Sequence, residues 1–164
     1  MEFRELHFLY SKKIRNEYMQ GNLWNQWMSE FPQIFKIEEN AWAPNQYNGG
    51  YGFFEMLTAI LIYKAVGFLS LTEYCKPNKH PQDITLMKKM LDDDLYKFSL
   101  GDLTYIGHKP QPPDLFCFAP DYSDWFFCEV KGNQDRFRNY QLEYFRDMQK
   151  RTGGKVYLCK LKPI

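Results

Sequence analysis

The chain has 164 residues, of which 45% are hydrophobic and 18% aromatic, and a formal net charge of +1. That size suits one domain around one core, and so apolar a composition excludes a disordered chain. The near-zero charge gives no global pull towards nucleic acid, so any such binding must come from local patches. Cys75, Cys117, Cys128 and Cys159 are scattered without C-x-x-C spacing, three of them inside apolar runs. This argues against a zinc site or a disulfide framework and for a reducing, intracellular compartment. The start, MEFRELHFLYSKK, mixes charges throughout and does not read as a secretory signal.

In chain order, the first thirty or so residues are expected to be helical, with Leu6, Leu9, Ile14, Leu23, Trp24, Trp27 and Met28 supplying apolar surface. Gly21-Asn22 should break this region into two helices, and Pro32 marks an end. A loop with Asn48-Gly49-Gly50 as its turn signal precedes a core helix from Phe53 to Val66. Glu55 and Lys64 interrupt the apolar run FFEMLTAILIYKAVGFLSL. A lysine at the centre of a spanning helix costs about 2.5–3.5 kcal/mol, so no membrane span is expected.

Asp83 should cap an amphipathic helix running to Lys97, with Ile84, Met87, Leu91 and Leu95 on its inner face. Asp92-Asp93-Asp94 reads as a solvated face or helix end, since consecutive helical residues point in different directions. Further on, DLFCFA and WFFCEVKG are short apolar runs joined by the turn PDYSD, which predicts an antiparallel hairpin of buried strands. DRFRNYQLEYFRDMQKR predicts a helix capped by Asp135 and closed by Gly153-Gly154, and KVYLCKLK a third strand. The order is strand, strand, helix, strand, with the helix over the sheet.

Charges end the second apolar run. Alternation puts Glu129 and Lys131 on one face with Trp125 and Phe127, and Phe126, Cys128 and Val130 on the other. Asp114 opens the partner strand and falls roughly opposite the Glu129–Lys131 end. Phe137, Gln141, Tyr144 and Met148 form the sheet-facing stripe of the last helix, and Gln141 is its polar member. Burying such charges is costly unless they find a partner or a metal. A divalent cation on the carboxylates would satisfy that condition.

PDLF followed by EVKGNQDRFRNYQ resembles the P-D…(D/E)-x-K signature of restriction-endonuclease-like nucleases, and more narrowly their VRR-NUC branch. The likeness covers roughly residues 111–162. It implies an α/β restriction-endonuclease-like core, a central mixed sheet flanked by helices, here with residues 1–48 as an added helical N-terminal region. The core would span 49–164, with a helical insertion near 80–100. It also implies phosphodiester hydrolysis with Mg²⁺ or Mn²⁺. Asp114, Glu129 and the Val130 carbonyl would bind the metal, Lys131 would position or deprotonate the attacking water, and Gln141 would orient the helix end or the water. The family adds a glutamate from an upstream helix, for which Glu55 is the first candidate and Glu73 the second.

Lys109, Arg136 and Arg138 are the expected nucleic-acid contacts. Glu143 and Asp147 interleave with the basic residues of the last helix, so a mixed solvated face accounts for that side nearly as well. DNA, branched or flapped, is the leading substrate, and nothing in the sequence distinguishes it from RNA. The competing functions are an RNA-directed or defence nuclease with the same site, and a binding module that kept the fold without the chemistry. The family contains small dimeric members, and the apolar N-terminal region suits either a homodimer interface or a wedge at a DNA end.

Overall fold

The structure is a computed structural model that describes residues 2–35, 50, 52–72, 74 and 81–164. Its first element corrects the helical expectation for the N-terminal region. Arg4–Tyr10 is a strand, β1, and the helices follow it as α1 (Lys12–Met19), α2 (Trp24–Glu30) and α3 (Pro32–Phe35). Leu6 and Leu9 fit helical spacing, but Leu6, Phe8 and Tyr10 fit a period of two, and those three turn inward while Leu9 is exposed. Residues 1–48 are therefore not a purely helical extension, because β1 belongs to the sheet.

Ser11 caps α1 by accepting from the Lys13 N–H at 3.1 Å. The break at Gly21-Asn22 is present, Gly21 having a φ of 80°, and Pro32 occupies the first position of α3. Helix α4 spans Phe53–Val66, as expected, between Gly52 and Gly67, both left-handed. It is apolar nearly all round, the pattern of a buried helix. Among the described residues no helix is long and apolar enough to cross a membrane.

The tail of the same apolar run, beyond Gly67, forms strand β2 (Leu69–Thr72), for which the sequence reading predicted no strand. The single helix expected from Asp83 to Lys97 is two, α5 (Pro81–Met87) and α6 (Asp93–Ser99). Asp92 provides the cap that splits them, its carboxylate accepting from the Leu95 N–H at 2.8 Å. Asp83 lies buried in the first turn of α5. Met87 and Leu91 still point into the core, as their spacing requires.

Strands β3 (Leu115–Phe118) and β4 (Trp125–Lys131) form the predicted hairpin. Asp121 holds its turn by accepting from the N–H and hydroxyl of Ser123 at 3.0 and 2.6 Å. Helix α7 (Asn139–Arg151) and strand β5 (Val156–Pro163) complete the chain. Gly153 and Gly154, with φ of 64° and 97°, close α7 as expected.

Among the described residues the fold is mixed α/β, with a five-stranded sheet in the order β1-β5-β4-β3-β2. β2, β3 and β4 are antiparallel neighbours, whereas β5 runs parallel to both β4 and β1. One face packs Tyr18, Phe53 and Ile60 against Leu115, Cys128, Val130 and Cys159. The other packs Met87, Tyr144 and Met148 against Phe116, Phe127 and Val156. Alternation along β4 decides which residue meets which layer, and it sends Glu129 to the α7 face.

Candidate active site

The β3–β4 register pairs Leu115 with Cys128, so one further step places Asp114 opposite Glu129. Asp114 is half-buried at the mouth of β3, where its Oδ2 accepts from the Val130 N–H at 2.8 Å. That bond takes the place of a ladder bond just past the last β3–β4 pair. The N–H and C=O of one strand residue point to the same edge, so the Val130 carbonyl also faces the Asp114 side.

Glu129 is 3% exposed. Its Oε1 receives two donors, Lys131 Nζ at 2.6 Å and Gln141 Nε2 at 3.0 Å. Its Oε2 is buried and meets no amine, amide or hydroxyl donor among the described residues, while Asp114, when protonated, shares a hydrogen bond with the Glu129 carboxylate. Lys131 is mostly buried, its ammonium 4.9 Å from the centroid of the Phe137 ring. Gln141 reaches Glu129 because the first turn of α7 lies over this end of β4, with Gln141, Tyr144 and Met148 buried on its inner stripe. The structure thus brings together Asp114, Glu129, Lys131 and Gln141.

The electrostatics follow from burial. Burial pushes the Asp114 carboxyl well above the usual range, and the neighbouring Glu129 charge adds to the effect. Burial also raises Glu129, against the opposing pull of Lys131. Two ionised acids beside one ammonium leave a net negative charge out of water, which calls for a proton or a cation. The donor set suits the latter. Two carboxylates and a carbonyl are hard oxygen ligands of the kind Mg²⁺ and Mn²⁺ take, and Glu129 Oε2, with no amine, amide or hydroxyl donor on it among the described residues, has ligand capacity to spare.

Glu55 occupies the first turn of α4, next to Phe54, whose ring abuts Gly132 at the end of β4. Among the described residues no group of three or more His, Cys, Asp or Glu side chains is gathered closely enough to hold a metal. Glu73 lies outside the described residues.

Asp135 does not cap α7, whose N-cap position is Arg138 with no side-chain bond. Its carboxylate instead accepts from the Gly132 N–H at 2.8 Å, while its own N–H donates to the Gly132 carbonyl at 3.2 Å. This pins the loop leaving β4. Gly132 suits the turn because a Cβ there would stand 3.1 Å from Asp135 Oδ2 and 3.3 Å from the Phe54 ring.

Lys109, Arg136 and Arg138 are all exposed. Arg138 donates to the Tyr140 hydroxyl at 2.9 Å, and the Tyr140 ring stacks on His108 at 4.8 Å. Lys109 and Arg138 therefore flank one aromatic pair beside the start of α7.

The sequence reading missed Lys160 and Lys162 on β5. Lys160 is the register partner of Lys131, and Lys131, Lys160 and Lys162 line one cavity of about 290 Å³. The signal was available, since KLK places two lysines on one face of a strand. No family model, curated protein or solved structure matches the chain.

Proposed function

We propose that this chain is a Mg²⁺- or Mn²⁺-dependent nuclease of the restriction-endonuclease-like class and VRR-NUC type, hydrolysing phosphodiester bonds in DNA. The observation that carries the reading is the meeting of Asp114 and Glu129 from neighbouring strands, with Lys131 on one oxygen of Glu129 and its other, buried oxygen without an amine, amide or hydroxyl donor among the described residues. The order α4-β2-β3-β4-α7-β5, with α5 and α6 inserted between β2 and β3, in which three antiparallel neighbours are followed by a helix and a parallel strand, supports a core of that class.

Asp114, Glu129 and the Val130 carbonyl would hold the cation. When bound, such an ion acidifies water and offsets negative charge on the phosphate and the leaving oxygen. The remaining work belongs to the chain. The Val130 N–H fixes the Asp114 carboxylate, and Gln141 and Lys131 fix Glu129 through a single oxygen. Lys131, on the rim of the adjoining cavity, supplies an ammonium that holds the attacking water or a phosphate oxygen and balances charge in the transition state. Gln141 is a positioning residue that acts through Glu129.

The test is cutting of labelled duplex, flap, fork, junction and single-stranded DNA, with RNA counterparts, in Mg²⁺, in Mn²⁺ and in chelator. The expected outcome is metal-dependent cleavage of DNA, strongest on a branched form, that Lys131→Ala abolishes. Mn²⁺ should also raise the melting temperature of the wild type, since a ligand that binds the folded state alone stabilises it. A folded wild type that neither cuts any substrate nor shifts with Mn²⁺ would overturn the reading.

A further inference from the structure

Beyond Lys131 the sheet carries more positive charge than its core needs. Lys131 and Lys160 are partners in the parallel β4–β5 register, so their side chains share a face, and Lys162 follows two residues later on that face. The face is uncovered towards the β1 edge, where the Lys160 side chain is 38% exposed and Leu9 is 62% exposed. The three lysines line a cavity of about 290 Å³ that Phe137 and Leu158 also border. The acid in its lining, Asp135, is already bonded to the Gly132 N–H.

The lysines differ in what holds them. Lys131 is paired with Glu129 at 2.6 Å and Lys160 with Glu5 at 2.6 Å. Lys162 is exposed and forms no ion pair among the described residues. Strand geometry puts Lys160 about 4.8 Å from Lys131 laterally and Lys162 about 6.7 Å further along β5. The result is a bent row of point charges leading away from the carboxylate pair, across to β5 and then along it, in steps of a few ångströms like those between phosphates on one strand.

We propose that this cavity binds the sugar–phosphate backbone of one nucleic-acid strand, with Lys162 and Lys160 neutralising phosphates next to the one at the Asp114–Glu129 pair. The choice of substrate rests on the nuclease reading. An ammonium has three donors, so Lys160 can keep Glu5 and still meet a phosphate oxygen. Lys162 has no ion pair among the described residues to give up.

The experiment is fluorescence anisotropy of a short labelled single strand, DNA in one arm and RNA in the other. It is run in chelator to prevent cutting and over a series of salt concentrations. Each phosphate neutralised on a single strand contributes about 0.7 to the slope of log affinity against log salt. Lys162→Gln and Lys160→Gln should each flatten the wild-type slope by about that amount on the strand that binds. Lys97→Gln removes an exposed lysine near Arg151, at the far end of α7, and should leave the slope unchanged.

An unaltered slope in Lys162→Gln, or an equal loss in Lys97→Gln, overturns the proposal. Cleavage by the wild type in Mg²⁺ separates the two readings. Cutting with a slope indifferent to Lys162 removes the backbone track alone. A Lys162-dependent slope in a protein that never cuts removes the nuclease reading and keeps the track.

Discussion

On the α4 face of the sheet, Cys117, Cys128 and Cys159 are fully buried; on the α7 face, one residue further along β4, Glu129 sits beside Asp114 and Lys131. Both faces hold titratable groups away from water, yet they hold them differently. The Ser70 hydroxyl donates to Cys117 Sγ at 3.4 Å, and Thr58 Oγ1 lies 3.7 Å from Cys159 Sγ. Burial pushes the Cys117 thiol up to about 12, and a hydrogen bond with Cys159 together with burial raises Cys128, so these two stay neutral, while the same bond lowers Cys159. The α7 face instead gathers two carboxyls and an ammonium that need a proton or a cation to balance, with Glu129 Oε2 lacking an amine, amide or hydroxyl donor among the described residues. Burial of a titratable group therefore does not mark a site by itself. The proposed site rests instead on buried carboxyls with ligand capacity to spare.

The largest effect should come from crossing between those faces along one strand. Glu129→Ala is expected to reduce cutting about a thousandfold or more, in the range seen when a main electrostatic contributor is removed. Cys128→Ala, one residue earlier, should cut at close to the wild-type rate while losing about 1 kcal/mol of stability through a small cavity. Cleavage assays and urea melts on the two variants make the comparison. A folded Cys128→Ala protein that fails to cut would erase the distinction.

Ile60→Ala probes the dry face more severely. Ile60 is 3% exposed within α4, and truncating a buried isoleucine costs about 2–5 kcal/mol. The urea midpoint should fall accordingly, with cutting retained below the transition, since Ile60 packs on the dry face of the sheet and is not itself a candidate site residue. If cutting disappears while the fold is still intact, the seating of α4 is part of the site, as a role for Glu55 would require.

The same contrast explains what could be read from the chain beforehand. The unit from Leu115 to Pro163 was readable because its strands are short apolar runs bounded by turns. Alternation then fixed the faces of Glu129 and Lys131, and α7 followed from Gln141, Tyr144 and Met148. β1 was not readable because its partner, β5, lies at the other end of the chain, and Leu6, Leu9 and Ile14 fit a helix as well as Leu6, Phe8 and Tyr10 fit a strand. Asp135 was misplaced because an aspartate before a helix is both a cap former and a turn former, and proximity to Gly132 decided for the turn. Glu55 was placed correctly in the first turn of α4, whereas the sheet face that α4 covers is a tertiary outcome. Lys160 was missed for a similar reason: the partner of Lys131 becomes visible only once β4 and β5 are known to be parallel and in register.

Gln141 tests how far the charged face depends on support. Its amide donates to the Glu129 oxygen that Lys131 also holds. Outer partners of metal ligands are worth about 10–100-fold in affinity or rate. Gln141→Ala should lose that much cutting and need correspondingly more Mn²⁺ for half-maximal thermal shift, whereas a structural role alone would lower the melting temperature and leave the Mn²⁺ requirement unchanged.

Asp114→Asn should produce the smallest free-energy change and the one with an unusual sign. Burial and the Glu129 charge raise the folded-state pKa of Asp114 above its unfolded value. Between those two values the native protein binds more protons than the unfolded chain, so stability in chelator falls as pH rises through that window. Asparagine removes one titrating group and one charge, while its carbonyl can still accept from the Val130 N–H. The variant should therefore show a flatter pH profile, and above the window it should exceed the wild type by about 1 kcal/mol, a typical gain when a functional site is relaxed. Metal reverses the order, because ligands must lose their protons to bind it. The Mn²⁺-induced rise in melting temperature should grow with pH in the wild type and vanish in Asp114→Asn. Superimposable pH profiles in chelator would mean that Asp114 carries no electrostatic cost, and the α7 face would then be as quiet as the cysteine face opposite.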